Sequence, residues 1–302
     1  MRKPAVLCVG RLYCDLIFTG APRLPSLGTE VFAQALSLHA GGGAFITAAY
    51  LSALGQDVHL AATLPADPFT GIVDKDIETA GVGSRFCGAA DAGCEPQITV
   101  AMTGQDDRAF LTRRVGPAFP AFDAAALRAV DVGHLHIGEL GTLAEHPELL
   151  AIAKTAGATV SLDCGWDDAV TTGVQELIGA VDIFLPNEVE IARLLAMGIP
   201  EFPAPLTVIK SGAKGARAIM DGRVVTAPAR KVEVVDTTGA GDAFNSGFLD
   251  AWLQGMALET CLAQGNACGA SAVQNRGGLG GMVGLSPGQG AGQDAQLRAR
   301  AK

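Results

Sequence analysis

Residues 236–244 combine the residue types that phosphoryl transfer to an alcohol requires. They read Asp-Thr-Thr-Gly-Ala-Gly-Asp-Ala-Phe and lead into a predicted amphipathic helix. Gly239 and Gly241 allow a tight turn and a close approach of the backbone to a ligand, because neither has a Cβ. The free N–H groups at a helix start bind phosphate oxygens, and Asp242 beside them can accept the proton of an attacking hydroxyl. The pattern favours transfer of a phosphoryl group from a nucleotide.

The same residues also suit an ordinary strand-to-helix turn, since Asp, Thr and Gly are common in caps and turns. Phe244, Phe248 and Trp252 recur every four residues, which predicts that one face of the following helix packs into the core. That packing would fix the direction of the helix start. The positive end of the helix dipole is then expected to favour the ionised form of Asp242.

The elements that must position this loop alternate between short apolar runs and helical stretches. Helices are predicted at residues 43–54 and 69–79, among others. The predicted strands cover residues 5–9, 58–63, 132–137, 159–162, 183–185 and 207–209. Alternation of this kind with short loops predicts a three-layer α/β/α fold with a mostly parallel central sheet, which binds ligands at the carboxyl ends of its strands.

Two stretches break this rhythm, at residues 30–38 and 97–111. Both have period-two alternation without an intervening helix, and residues 104–107 suit a hairpin turn. They predict either a small antiparallel lid that excludes water from the reaction, or surface hairpins without a gating role. We favour the lid, formed from about residues 12–39 and 95–115.

Composition sets the class of protein and limits its partners. The chain of 302 residues is 49% hydrophobic and 18% charged, which predicts a large buried core. Its net charge of −9, without long basic runs, argues against a nucleic-acid partner. Seven cysteines without a C-x-x-C pair predict reduced thiols and a cytoplasmic location, and no signal or membrane segment is predicted.

The chain is predicted to be one domain over residues 1–283, followed by a tail. Residues 284–302 are rich in Gly, Gln, Ala and Pro and have little apolar pattern, so we expect this tail to be loosely ordered.

Residues 236–244 closely resemble the C-terminal signature of the ribokinase-like (PfkB) carbohydrate kinases, and the resemblance covers about residues 5–282. It implies a kinase that transfers the γ-phosphoryl group of ATP, with Mg²⁺, to a hydroxymethyl group of a sugar or sugar-like acceptor. Asp242 would be the general base. The amides of Gly239, Ala240 and Gly241 would stabilise the transferring group.

The resemblance also implies which residues line the acceptor site. Family members use an Asp after the first strand and glycines that open a helix, and Asp15 and the run Gly41, Gly42 and Gly43 match these positions. The alternative is a solvated Asp and a flexible helix start.

Further along the chain, Glu139, Asp163 and Trp166 also fall where the family lines its acceptor site. The histidines, by contrast, have no partners at metal-ligand spacing, and we expect them to be buried or at the rim of the site.

Two departures from the family bear on the acceptor. Ribose-using members have Asn where this chain has Tyr13 and Ile46, so two groups that bind hydroxyls are replaced. The replacement argues against ribose itself. A nucleoside acceptor is an alternative, because Tyr13 and Phe45 could stack on a base. A non-catalytic sugar- or nucleotide-binding regulator is a further alternative, which the presence of Asp242 opposes.

Asn187 and Glu190 match the N-x-x-E motif of the family, in which the Glu organises water around Mg²⁺ and the Asn lies near the phosphates. They also match a helix N-cap and its N3 position, and the two interpretations are compatible. By the same resemblance, Lys210, Gly212 and Gly215 form a glycine-spaced turn beside the nucleotide. Lys210 either touches phosphate or lies in solvent.

Three further expectations come from the resemblance. Asn266 falls where the family contacts the nucleotide base or ribose. Lid strands in related enzymes often pair between subunits, which makes a homodimer through the lid a candidate assembly. Five positions match those that hold a monovalent cation such as K⁺, and they are Asp236, Thr238, Ala272, Asn275 and Gly277.

Overall fold

The computed structural model describes residues 3–103, 108–165, 173–282 and 285. The strands within these residues are β1 (Ala5–Val9), β2 (Tyr13–Thr19), β3 (Ala35–Gly41), β4 (Val58–Ala61), β5 (Ile98–Thr103), β6 (Arg108–Arg113), β7 (Val132–Ile137), β8 (Thr159–Asp163), β9 (Ile183–Leu185), β10 (Leu206–Lys210), β11 (Ala216–Met220) and β12 (Arg223–Ala227). The α-helices are α1 (Gly43–Ala53), α2 (Thr70–Thr79), α3 (Ala124–Ala129), α4 (Leu140–Glu145), α5 (Glu148–Ala156), α6 (Val174–Gly179), α7 (Glu188–Ala196), α8 (Ala240–Leu253) and α9 (Leu258–Val273).

The central sheet has the strand order β12-β11-β10-β9-β8-β7-β1-β4. The six strands from β10 to β4 in this order are parallel, whereas β11 and β12 add an antiparallel edge. The mostly parallel sheet predicted from the sequence is therefore confirmed. The β11–β12 hairpin was not among the predicted strands.

Helices cover both faces of this sheet, and β1 illustrates why. Its side chains alternate between two cores: Val6 and Cys8 pack with α1, α2, α8 and α9, and Leu7 and Val9 pack with α3 to α7. A strand buried on both faces must be apolar throughout, as β1 is. The three-layer α/β/α fold is confirmed. None of the described helices combines the length and the hydropathy needed to cross a bilayer.

A second sheet, which we call the lid, has the strand order β3-β2-β5-β6. The predicted lid strands are confirmed, but the sheet is mixed rather than antiparallel, because β2 and β5 are parallel. After β3 the chain passes through α1, β4 and α2. It then enters the lid again as β5, which runs parallel to β2. The predicted turn at residues 104–107, Trp166 and the tail at residues 284–302, apart from Leu285, lie outside the described residues.

Candidate active site

The loop at residues 236–239 leads into α8 with the geometry of an anion-binding helix start. Gly239 is the N-cap, with φ 71°, and no side chain caps the helix. A Cβ on Gly239 would lie 2.8 Å from the Cα of Gly278, so both the backbone conformation and the packing require glycine. The amides of the first turn are thus left for a ligand. The Ala240 N–H is the exception, since it donates to the Thr237 carbonyl oxygen at 3.3 Å.

Asp242 lies on the first turn of α8 and opens into a cavity of about 640 Å³. The cavity is formed where β1, β7 and β8 end, together with the lid and α7. Its lining residues are Arg11, Tyr13, Gly43, Thr112, Arg114, Gly138, Glu139, Gly141, Asp163, Gly165, Arg193 and Asp242. Its position at the carboxyl ends of the parallel strands is the one expected for a ligand site.

Lys210, at the end of β10, is buried against Asp163, which lines the cavity, and does not lie in solvent. Its ammonium nitrogen contacts both carboxylate oxygens of Asp163, at 2.9 and 3.0 Å, and Oδ1 of Asn245 at 3.2 Å. Asn245 Nδ2 in turn donates to Asp163 Oδ2 at 2.6 Å. The Lys210 side chain is 11% exposed, so the solvent interpretation was wrong. A Cβ on Gly241 would lie 3.5 Å from Lys210 Nζ, which places the ammonium beside the start of α8.

Asn245 was not identified from the sequence. It lies three residues after Asp242 on α8 and is fully buried. Asn245 directly follows Phe244 on a helix that packs Phe244 and Phe248 into the core. A polar residue next to core residues is the sequence signal that could have revealed it.

The electrostatic environment of Asp242 differs from the expectation based on the helix dipole. Burial, followed by the carboxylate of Asp163, raises the pKa of Asp242, and Glu139 and Glu190 act in the same direction. Lys210 lowers it, but the net pKa is well above the usual carboxylate range. Desolvation and the neighbouring carboxylates therefore favour the protonated form of Asp242.

Of the residues predicted to bind the acceptor near the N-terminus, Gly43 lines the cavity, whereas Asp15, Gly41 and Gly42 are not among its lining residues. A Cβ on Gly43 would lie 2.9 Å from Asp242 Oδ1, and a Cβ on Gly41 would lie 2.0 Å from Asp15 Oδ2. Gly42 has φ 111°, and a Cβ there would collide with the carbonyl oxygen of Arg11 at 2.3 Å. The flexible-loop alternative does not fit this packing, because each glycine allows a specific close approach. Burial raises the pKa of Asp15 to about 7.

Glu139 is the N-cap residue of α4, and its carboxylate accepts two hydrogen bonds from the protein. Its Oε1 accepts hydrogen bonds from the backbone N–H of Arg11, at 2.8 Å, and from the Thr142 hydroxyl. Burial raises the pKa of this carboxyl. The structure therefore brings Glu139 into the cavity with Asp163 and Asp242, and it also gives Glu139 a role in fixing the end of β1.

Asn187 and Glu190 form a capping box at the start of α7. Asn187 Oδ1 accepts from the N–H groups of Val189 and Glu190, both at 2.9 Å, and Glu190 Oε2 accepts from Asn187 N–H at 2.7 Å. The helix-cap interpretation is correct. Asn187 also pairs with Lys210 across the strand ends, so the motif adjoins the buried pair of Lys210 and Asp163.

Gly212, Gly215 and Asn266 lie further along the same edge. A short 3-10 helix begins at Gly212, and Gly215 has φ 100°. A Cβ on Gly215 would lie 2.1 Å from the Ala227 carbonyl oxygen. Asn266 Nδ2 donates to that same oxygen and to the carbonyl oxygen of Pro228, each at 3.1 Å. Gly215 and Asn266 both contact the end of β12, and the hydrogen bonds of the Asn266 amide stabilise the chain there.

The candidate cation residues are joined by the carboxylate of Asp236. Its Oδ1 accepts from the backbone N–H and the hydroxyl of Thr238, at 2.9 and 2.7 Å, and its Oδ2 accepts from Gly277 N–H at 2.9 Å. The Ala272 carbonyl oxygen accepts from Asn275 N–H at 3.1 Å. The structure thus brings the two loops together. No group of three or more His, Cys, Asp or Glu side chains that could hold a metal occurs in the described part of the chain.

Three other sequence expectations have clear outcomes. Tyr13 lines the cavity, but Phe45 is fully buried in the core and cannot stack on an acceptor base. Ile46 is 6% exposed, and a Cβ on Gly278 would lie 2.7 Å from its Cδ1, so it also belongs to the core. His134 and His136 are buried, as expected, and share hydrogen bonds with Ser161 Oγ at 2.8 Å.

Known proteins resemble this chain over nearly its whole length. The model of the pfkB family of carbohydrate kinases matches residues 3–282. The ATP-dependent ribose-1-phosphate kinase of Halopiger xanaduensis is 30% identical over 281 residues, which cover 88% of this chain and 90% of that protein. The ribokinase of Arabidopsis thaliana is 26% identical, over 91% of this chain and 78% of that protein.

Solved structures share the fold. A putative ribokinase from Agrobacterium tumefaciens has a TM-score of 0.81 at 18% identity, and covers 99% of this chain and 98% of its own. The nucleoside kinase of Methanocaldococcus jannaschii has a TM-score of 0.76 at 21% identity, with 95% of each chain covered. Together with the family match over nearly the whole chain, these findings establish the family of the protein. It belongs to the pfkB family of carbohydrate kinases, which are phosphotransferases with an alcohol group as acceptor.

Proposed function

We propose that this protein transfers the γ-phosphoryl group of ATP to a hydroxymethyl group of a sugar or sugar-like acceptor, with Asp242 as general base. The acceptor oxygen attacks the γ-phosphorus while its proton passes to the carboxylate of Asp242. The bond between the γ-phosphorus and the bridging oxygen breaks, and ADP leaves with that bond's electron pair. The site holds the two substrates in line and stabilises the charge of the group in transfer.

The observation that carries this proposal is the uncapped start of α8, whose first turn carries Asp242 into the cavity. Phosphate oxygens fit the amides of Gly239 and Gly241, and a transferring group would compete with the Thr237 carbonyl for the Ala240 N–H. Lys210 lies next to these amides and supplies a positive charge on the phosphate side. A regulator without catalysis would have no use for a carboxylate at this point.

A divalent cation fits this arrangement. The carboxylates of Asp163 and Glu190 both raise the pKa of Asp242, which means that negative charge accumulates in the site. We propose that Mg²⁺ binds mainly to the nucleotide phosphates, with Glu190 contacting its waters, and that it supplies charge neutralisation. For K⁺, the proposed ligands are carbonyl oxygens of the two loops that Asp236 joins, with Ala272 and Asn275 on the second loop.

The proposal is tested by measuring ADP release across free sugars, sugar acids, sugar phosphates and nucleosides. Each acceptor is assayed with ATP and Mg²⁺, with excess EDTA, and with K⁺ in place of Na⁺. We expect acceptor-dependent ADP release that EDTA abolishes, and a product phosphorylated on a hydroxymethyl group. Release that no acceptor stimulates would contradict a kinase function. A preference for nucleosides would favour the alternative of a nucleoside kinase, for which Tyr13 in the cavity is the supporting observation.

The raised pKa of Asp242 predicts an acidic limb in the pH profile. A base works only when deprotonated, so kcat/KM for the acceptor should fall as the pH drops through the pKa of Asp242. Because that pKa is raised, kcat/KM should begin to fall at a pH well above the usual pKa of Asp, which is about 4. The profile is measured at saturating ATP.

Asp15 provides the control for this profile, because burial raises its pKa to about 7 as well. The pKa of Glu139 is also raised, so Glu139→Gln is a second control. If the limb remains in both Asp15→Asn and Glu139→Gln, it belongs to Asp242. A limb that disappears in either variant, or a profile that is flat down to pH 5, would contradict the assignment.

We also propose that the protein is a homodimer through the lid. Leu16, Leu38, Val100 and Leu111 form one cross-sheet row on the face opposite Thr112, which lines the cavity. Leu16 and Leu38 pack against the core, but Leu111 is 69% exposed and Leu36, on the same face of the lid, is 50% exposed, so the outer part of this face presents apolar surface. Sedimentation velocity is expected to give a dimer that Leu111→Glu dissociates. A monomer of the unaltered protein at micromolar concentration would contradict the proposal.

A cytoplasmic location remains part of the proposal. All seven cysteines are free in the structure, which is the state that a reducing compartment maintains.

A further inference from the structure

Asn245 connects α8, the helix that carries Asp242, to the ends of two strands. It is fully buried and lies three residues after Asp242. Its Nδ2 donates to Asp163 Oδ2 on β8 at 2.6 Å, and its Oδ1 accepts from Lys210 Nζ on β10 at 3.2 Å. An ammonium group can only donate and an ionised carboxylate can only accept, so the amide has a single orientation. Asn245 therefore fixes the position of the Lys210–Asp163 pair relative to α8.

The ammonium group of Lys210 uses all three of its N–H donors in this arrangement. Burial lowers the pKa of Lys210, but the carboxylates of Asp163 and Glu190 outweigh burial and raise that pKa overall, so the charge is retained. The three donors face Asp163 Oδ1 at 2.9 Å, Asp163 Oδ2 at 3.0 Å and Asn245 Oδ1 at 3.2 Å. A phosphate oxygen can therefore accept from Lys210 only if one of these bonds is released.

The bond to Asn245 is the weakest of the three. Both bonds to Asp163 join opposite charges, and such charge-assisted hydrogen bonds are stronger than those to neutral acceptors. Asn245 offers a neutral amide oxygen, and it does so at the longest of the three distances. The N–H that faces Asn245 is therefore the one that a phosphate would take.

Lys210 lies where this donor can reach a phosphate. A Cβ on Gly241 would lie 3.5 Å from Lys210 Nζ. Gly241 is in the first turn of α8, whose uncapped start is the proposed phosphate site, and Asn245 is about one helical turn further along the same helix. A small shift of the ammonium from Asn245 toward Gly241 would bring one N–H to the phosphate and leave the other two on Asp163.

We propose that Asn245 is a positioning residue for phosphoryl transfer. In the free enzyme it holds the third N–H of Lys210, and when ATP binds it yields that hydrogen bond to the γ-phosphoryl group. Asp163 keeps its two bonds to the ammonium throughout. When the phosphate leaves, the Asn245 oxygen takes the donor back, because a buried acceptor without a partner is unfavourable. The inference rests on the proposed kinase reaction and assigns a role to a residue of the same site.

The exchange predicts the sign of an effect on nucleotide affinity. Asn245→Leu removes the amide oxygen, so the third N–H of Lys210 is buried without an acceptor until a nucleotide binds. We expect the Kd of a non-hydrolysable ATP analogue with Mg²⁺, measured by calorimetry, to fall about threefold or more. At the same time kcat should fall about fivefold or more, because the ammonium is no longer held in one position. Asn245→Ala removes the same oxygen and should lower the Kd as well, which keeps the test decisive if the leucine variant does not fold.

Asn245→Asp should change the affinity in the opposite direction. It keeps the shape of the side chain and replaces the neutral oxygen by a carboxylate, which holds the ammonium of Lys210 more strongly. Release of the donor is then less favourable, so the Kd of the analogue should rise about tenfold or more. A residue that only stabilised the fold would weaken nucleotide binding in every variant, so opposite signs distinguish the exchange from a purely structural role.

A double-mutant cycle tests whether Asn245 acts through Lys210. The background is Lys210→Met with Asp163→Asn, which lacks both the ammonium and its carboxylate partner. Asn245→Leu should leave the Kd of the analogue unchanged in this background. The matched control is Gln254→Leu, since Gln254 is an exposed amide at the end of the same helix, where it donates to the Asp250 carbonyl oxygen at 3.0 Å. This control should keep the Kd and the kcat of the unaltered protein.

The possible results separate the inference from the function on which it rests. Unchanged or weaker analogue binding by both Asn245→Leu and Asn245→Ala would overturn the exchange. An equal gain in affinity in the background that lacks Lys210 would overturn it as well. Protein that binds the analogue but releases no ADP with any acceptor would overturn the proposed function, while the Kd values would still decide the hydrogen-bond exchange.

Discussion

Asp242→Asn is expected to lower kcat for phosphoryl transfer about a thousandfold, because general-base catalysis typically contributes 10²–10⁴. The amide keeps the shape of the side chain but cannot take the proton of the acceptor hydroxyl. Affinity for a non-hydrolysable ATP analogue should be retained or increased, since the change removes a negative charge near the phosphates. Coupled ADP release measures the first quantity and calorimetry the second.

The matched control for this variant is Asp221→Asn, in the turn between β11 and β12. Asp221 is exposed and has φ 51°, a conformation that Asn also tolerates. It should leave both kcat and nucleotide affinity unchanged. An Asp242→Asn enzyme that phosphorylates its acceptor at the unaltered rate would show that another group is the base. Loss of both turnover and nucleotide binding would instead indicate that the first turn of α8 had been disrupted.

The parts of the site that are local in sequence could be predicted. The turn at Gly239 and the position of Asp242 are encoded within nine consecutive residues, because the αL conformation and the helix start depend on neighbouring residues only. The capping box of Asn187 and Glu190 was recognisable for the same reason. The parallel strands followed from the alternation of apolar runs and helices, which a sheet buried on both faces requires.

The parts that depend on distant contacts could not be predicted. Lys210 is separated by 47 residues from Asp163 and by 35 from Asn245, and pattern within a single segment contains no information about such a pair. The pKa of Asp242 depends on the same assembly, since its main perturbations after burial are charges on other elements. The mixed lid likewise arises from the path of the chain between β2 and β5, which the alternation within each strand does not specify.

Arg11 lines the cavity but was not identified from the sequence. It follows β1, close to the matched Asp15, but belongs to no motif in the sequence. Its importance is visible only once the fold brings Gln97, Gly116 and Glu145 around it, 86 or more residues away. The family resemblance predicted the residues for phosphoryl transfer, whereas the position of Arg11 in the cavity is visible only in the folded chain.

Lys210→Met is expected to impair both stability and catalysis. Lys210 and Asp163 form a pair whose side chains are 11% and 9% exposed. Removal of one partner leaves an uncompensated buried carboxylate, which typically costs about 3–5 kcal/mol in the free energy of unfolding. Catalysis should fall as well, because the positive charge beside the Gly241 amide is lost. Urea unfolding and coupled ADP release measure the two effects.

A second substitution separates these two effects. Asp163→Asn in the Lys210→Met background removes the unpaired charge and still offers an oxygen to the Asn245 amide, so it should recover most of the lost stability. Turnover should stay low, since the ammonium group is still absent. The control Lys214→Met changes a lysine that is 77% exposed and should leave the unfolding midpoint unaltered. If Lys210→Met alone were as stable as the unaltered protein, the carboxylate of Asp163 would have to be solvated or protonated in the folded state. In that case Lys210 would act on the phosphates without holding the site together.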